Sequence, residues 1–72
     1  MALKLKILRQ RKGLSQFTVS QKTGIVQSNL SDFELNKRKP WPKVIKKLER
    51  FYRLPISELL TEEPEAGGEE NA

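Results

Sequence analysis

Apolar residues recur along this chain in short stripes of helical period, separated by residues that stop helices. Leu5 and Leu8 stand three apart, and Leu14 joins them just past Gly13. That spacing predicts a first helix over about Leu3 to Lys12, closed by Gly13 in the left-handed conformation. Ile7 either flanks the stripe or stays partly exposed. The stretch Leu14 to Glu34, LSQFTVSQKTGIVQSNLSDFE, predicts two short helices joined by a tight turn. Ser15 caps the first, Gly24 ends it, and the second begins at about Gln27. Val19 and Ser20 fall on the inward side of the first; Leu30, Phe33 and Glu34 fall on the inward side of the second. A further helix is expected from about Pro42, since proline suits a first helical turn. Its inward residues are expected to be Ile45, Leu48 and Tyr52, with Val44 and Phe51 flanking. Leu54 anchors a turn, and residues 55–60, PISELL, predict a short fifth helix that closes the core.

The outward side of the second motif helix carries Gln27, Ser28, Asn29, Ser31 and Asp32. These are short or amide side chains able to hydrogen-bond base edges, so the layout is that of a DNA-binding helix-turn-helix. Glutamine and asparagine can each pair bidentately with adenine, and Gln27 in the first turn is expected to read an A·T pair. Asn29 and Ser31 are expected to be more peripheral, and Asp32 would accept from a cytosine amine or discourage wrong sites. The plainer alternative is a merely soluble helix face. Gln16 follows the cap Ser15 at the positive end of its helix, where a phosphate fits; otherwise it is one more polar residue of a first turn. Three consecutive bases, Lys37, Arg38 and Lys39, follow the second motif helix and would meet the phosphate backbone beside it, unless they form only a solvated face.

Charge sharpens this picture. All 14 Lys and Arg lie in residues 1–53 against three acids, a net charge of +11, whereas residues 54–72 hold six acids and no base, −6. A basic body of this density suits a polyanion, and nucleic acid is favoured over a membrane because no strongly apolar amphipathic helix accompanies it. The absence of cysteine and histidine excludes disulfides, thiol chemistry and the usual zinc sites. No Gly-rich phosphate loop is present and most acids lie near the end, so an enzyme, a metal or a cofactor is not expected. Seventy-two residues allow one small core, assigned to residues 1–61. Residues 62–72 lack any apolar side chain beyond alanine and are expected to be a disordered acidic tail that competes with DNA or merely aids solubility. No apolar run reaches membrane-spanning length and the start lacks a signal peptide's apolar core, so a cytoplasmic location is expected.

Several linked words of the sequence carry a resemblance to a known family. The run LxxLRxxxGLSQ from Leu5 to Gln16, the Gly24-Ile25 turn, Leu30-Ser31 followed by Phe33-Glu34, and Pro40 after a basic loop resemble the Cro/CI-type (Xre) helix-turn-helix domain over roughly residues 3–60. The resemblance implies an all-α, compact five-helix, lambda-repressor-like domain that binds double-stranded DNA sequence-specifically, often as a homodimer. It also implies an ion pair between Arg9 and Glu34, the alternative being that Arg9 is solvated or faces phosphate, and a backbone contact through Gln16. Phe51, Ile56 and Leu60 are then candidate dimer contacts, unless they belong wholly to the monomer core.

Departures from the family pattern are informative. Ser20 replaces a usual alanine, and Val26 stands where Ser or Thr would cap the helix. Asn36 replaces a glycine but tolerates positive φ. Phe17 replaces a polar residue; packing against the domain is expected, a partner surface being the alternative. Trp41 is expected to cover the core rather than stand near DNA. Glu49 replaces a small residue and is expected to bend outward to a nearby base. The function expected is a transcriptional regulator, a repressor in the first instance. The alternative is an antitoxin or other protein-interaction module with secondary DNA binding.

Overall fold

The computed structural model describes residues 1–64. A short strand β1 (Ala2–Leu3) leads into helices α1 (Lys4–Arg11), α2 (Gln16–Thr23), α3 (Gln27–Glu34), α4 (Pro42–Tyr52) and α5 (Ile56–Leu59), and a second strand β2 (Glu62–Glu63) ends the described chain. The five expected helices are all present. Their ends follow local chemistry. Gly13 at φ 71° closes α1, with Gly13 N–H on the Gln10 carbonyl and Leu14 N–H on the Arg9 carbonyl, the paired bonds of a Schellman motif. Asn36 at φ 60° closes α3 the same way, its own N–H reaching Phe33 and that of Lys37 reaching Asp32. Pro42 opens α4, where its missing N–H removes no helical bond.

The core joins Leu5, Val19, Ile25, Leu30, Phe33, Leu48 and Leu59 from all five helices and the turn between α2 and α3, with Leu3, Val44 and Tyr52 buried around them. Burial of roughly a dozen apolar side chains, at about 1.5–3 kcal/mol each before entropy, is what holds so small a domain. Trp41 stands edge-on to Phe33, ring centroids 5.5 Å apart, and so covers part of the core while 40% exposed.

Four expectations need correction. In α1, Ile7 is buried and Leu8 only half-buried, because α1 packs against β1, β2 and α5 and more of its circumference is covered than one stripe supplies. In α4, Val44 is buried and Ile45 half-buried: the centre of the buried face is the line Val44, Leu48, Tyr52, and Ile45 lies at its edge. Leu3 belongs to β1, not to the first helix. Glu62 and Glu63, expected within a disordered tail, instead pair antiparallel with β1, Ala2 opposite Glu63 and Leu3 opposite Glu62. Backbone hydrogen bonds need no apolar side chains from β2, and the Lys4 ammonium lies 2.8 Å from Glu58 and 3.6 Å from Glu63. The hydrogen bond to Glu58, aided by the charge of both carboxylates, holds Lys4 above its ordinary pKa. Residues 65–72, the remainder of the expected tail, lie outside the described residues.

Candidate nucleic-acid interface

The interface begins with how α2 and α3 are held. Ser15 Oγ accepts the Thr18 N–H at 3.0 Å, satisfying one of the orphan donors of the first turn of α2. At the other end Gly24 takes φ 78° and its N–H returns to the Ser20 carbonyl. Two hydroxyls then stitch the turn. Ser20 Oγ donates to the Ile25 carbonyl at 2.6 Å; Thr23 Oγ1 donates to the Val19 carbonyl and accepts the Ile25 N–H. Serine at position 20 thus does more than fit a close approach: it ties the last turns of α2 to the residue that plugs the core. Val26, at the start of α3, makes no side-chain cap and is exposed.

At its far end α3 is fixed by charge. Glu34 is 5% exposed, and the Arg9 guanidinium grips it through two bonds, Nε to Oε2 at 2.7 Å and Nη2 to Oε1 at 3.1 Å. The third guanidinium nitrogen, Nη1, donates to the Leu14 carbonyl at 2.8 Å. Gln16 Nε2 adds a bond to Glu34 Oε1 at 3.0 Å. A planar fork meeting a carboxylate is the geometry in which arginine outperforms lysine. Helices α1, α2 and α3 are locked together through this one buried carboxylate.

The five expected base-contacting residues divide by exposure. Gln27 and Ser28 are exposed, in the first turn of α3, whereas Asn29, Ser31 and Asp32 are half-buried. Asp32 lies 3.8 Å from the Arg38 guanidinium, a contact long enough to be exchanged for a phosphate. Lys39 Nζ donates to Asn36 Oδ1 at 3.2 Å, across the exposed loop, and Lys37 points into solvent. The side-chain amide nitrogen of Gln16, expected to serve a phosphate, is directed to Glu34 instead.

A model of the HTH_3 helix-turn-helix family matches residues 5–59. The chain belongs to this Cro/CI-type family. No curated protein and no solved structure gives an individual match. Members of the Cro/CI-type family are DNA-binding regulators, generally without enzymatic activity, and the matched segment runs from the first core leucine of α1 to the last core leucine of α5. Among the described residues no helix is long and apolar enough to cross a membrane.

Other residues sit differently from expectation. Phe17 is 58% exposed: it follows Gln16 on the side of α2 away from Val19, and among the described residues no element covers it. Glu49 does not turn out to a base; its Oε2 accepts the Ile56 N–H at 2.7 Å, capping α5 from one helix away. Nothing in the spacing of α4 signals that role, because the partner lies across the turn after α4. The candidate dimer residues Phe51, Ile56 and Leu60 are half-buried and pack against the core. Phe51 also lines a cationic cleft, which separates it from the other two.

Proposed function

We propose that the protein is a sequence-specific transcriptional regulator, a repressor, that reads the major groove with α3 and binds a two-fold operator as a homodimer. The observation that supports this best is the exposed polar first turn, Gln27 and Ser28, on a helix whose opposite end is anchored by the buried Arg9–Glu34 pair. A rigid support is what lets a few side chains discriminate bases at about 1–3 kcal/mol each. Asn29, Ser31 and Asp32 flank the contact. Lys37, Arg38 and Lys39, with the backbone N–H of Gln16, hold the register on phosphates. Repression then needs only occupancy of a site that the transcription machinery must use.

Dimerisation is assigned to Ile56 and Leu60. Phe51 is left out, because a two-fold contact built around it would set its ring of cations against the same ring in the other copy.

Selection of binding sites from a random duplex pool tests the reading. A palindromic winner is expected, with its preference abolished in a Gln27→Ala, Ser28→Ala variant while the salt slope persists. Replacing Lys37 and Lys39 by alanine is expected to leave the preferred sequence intact and flatten the dependence of log K on log salt by about 2. Salt-sensitive binding without any preferred sequence would refute sequence reading.

A second reading, an antitoxin or other protein-interaction module, is favoured by one feature, the 58% exposed Phe17. A protein that co-purifies stoichiometrically and is released by Phe17→Ser would support it.

A further inference from the structure

The exposed side of α4 carries Lys43, Lys46, Lys47 and Arg50, spaced i, i+3, i+4 and i+7 so that they share one face. Lys22, near the end of α2, and Arg53, just past α4, join them around a cleft of about 660 Å³ whose lining includes Phe51 and Thr23. Among the described residues none of these six cations has an acidic partner within ion-pair distance. The acid on the same helix, Glu49, is directed to the Ile56 N–H. Six unpaired like charges on so small a surface repel one another, and an anionic occupant relieves that repulsion.

The shape and floor of the cleft choose among anions. A DNA duplex meets a basic surface with its phosphates, whereas its apolar groups, such as the thymine methyls, lie inside the grooves, away from the phosphates these cations would hold and so away from Phe51. Single strands bind by stacking successive bases on open aromatic faces, whereas Phe51 is half-buried and stands edge-to-face with Tyr52, centroids 4.9 Å apart. The aliphatic stems of the four lining lysines can add apolar surface beside Phe51 while their ammonium groups stay in water. An apolar side chain seated among carboxylates complements both parts at once.

We propose that the cleft between the end of α2 and the outer face of α4 docks an acidic helical segment of a partner protein. That segment presents carboxylates at matching i, i+3, i+4 and i+7 spacing around one large apolar residue that rests on Phe51, a helix-in-groove contact. The site is separate from the first turn of α3, and the inference stands whether or not α3 reads a specific sequence.

The test uses the full chain and a labelled helical peptide of about 18 residues carrying four glutamates at that spacing around a central leucine. Saturable binding is expected by fluorescence anisotropy, with amide resonances of Thr23, Lys47 and Arg50 shifting on titration. Affinity should fall about tenfold or more in a Lys46→Glu, Lys47→Glu variant, and comparably when the peptide's leucine is replaced by serine. The variant's circular dichroism should match that of the parent, and the serine peptide tests the floor without altering the protein. Undiminished binding to the charge-reversed variant, or equal binding of the leucine and serine peptides, overturns the proposal. So does a short random-sequence duplex that shifts the same resonances and displaces the peptide, since the cleft would then be a nucleic-acid surface.

Discussion

At the scale of single residues, Glu34 and its partners bear the most weight. A carboxylate removed from water is tolerated because Arg9 and Gln16 supply three hydrogen bonds to it, and loss of the guanidinium would leave it buried and unpaired. Arg9→Ala is expected to lower unfolding free energy by about 3 kcal/mol in urea titrations; Arg9→Lys should recover only part of it, since an ammonium cannot form the fork. Tyr52 packs nearby and titrates abnormally: burial, reinforced by the negative charge of Glu34 and partly offset by Arg9, pushes its hydroxyl up to about 12. The folded state therefore holds the phenolic proton more tightly than the unfolded chain. Its contribution is complete below about pH 10 and is lost as pH rises through about 12, a window worth about 2 kcal/mol. Tyr52 is the sole tyrosine, so tyrosinate absorbance reports it alone, and Tyr52→Phe should flatten the alkaline fall in stability relative to the parent.

At the scale of elements, stability depends on how helix ends are finished. α3 begins without a side-chain cap at Val26, and Val26 is 60% exposed, so little packing is lost by changing it. Val26→Ser is expected to raise the thermal midpoint, corresponding to about 1 kcal/mol. At α5 the reverse holds: Glu49→Ala removes the acceptor of the Ile56 N–H and should destabilise by about 1–2 kcal/mol, read in the same melting experiment. These ends also mark what was legible in the sequence. Ser15, Gly13, Gly24, Asn36 and Pro42 act within a turn of their own position, and their spacing located α1 to α4 to within a residue or so. The bond from Glu49 to Ile56, the burial of Ile7 and the strands at the two ends depend on which elements come together, and two-residue strands have no period to detect. At the interface, the outward face of α3 was readable as a stripe, with Gln27 and Ser28 in its first turn and Asn29 and Ser31 more peripheral, but the half-burial of Asn29, Ser31 and Asp32 was not. That half-burial follows from how closely α3 lies against its neighbours.

At the scale of the whole molecule, two of the basic regions differ in shape: the loop Lys37 to Lys39 beside α3, and the cleft between the end of α2 and the exposed face of α4. Under the two proposals the first would meet a phosphate backbone and the second an acidic segment, so that one basic body would serve two kinds of partner. Dimerisation at α5 would leave both free. Leu60→Glu is expected to shift sedimentation toward monomer and to weaken binding to a palindromic duplex while leaving a half-site duplex unaffected.

The strand pair of β1 and β2 joins opposite ends of the described chain, with the Lys4 N–H bonded to the Thr61 carbonyl. It closes the longest loop in the fold, and the entropy of that closure is recovered only after the helices have assembled. This seam is therefore expected to form late in folding and to fray early. In native-state hydrogen exchange the Lys4 amide should open at a lower free energy than those of Leu30 and Leu48, letting the two ends part and rejoin while the helices between them stay folded.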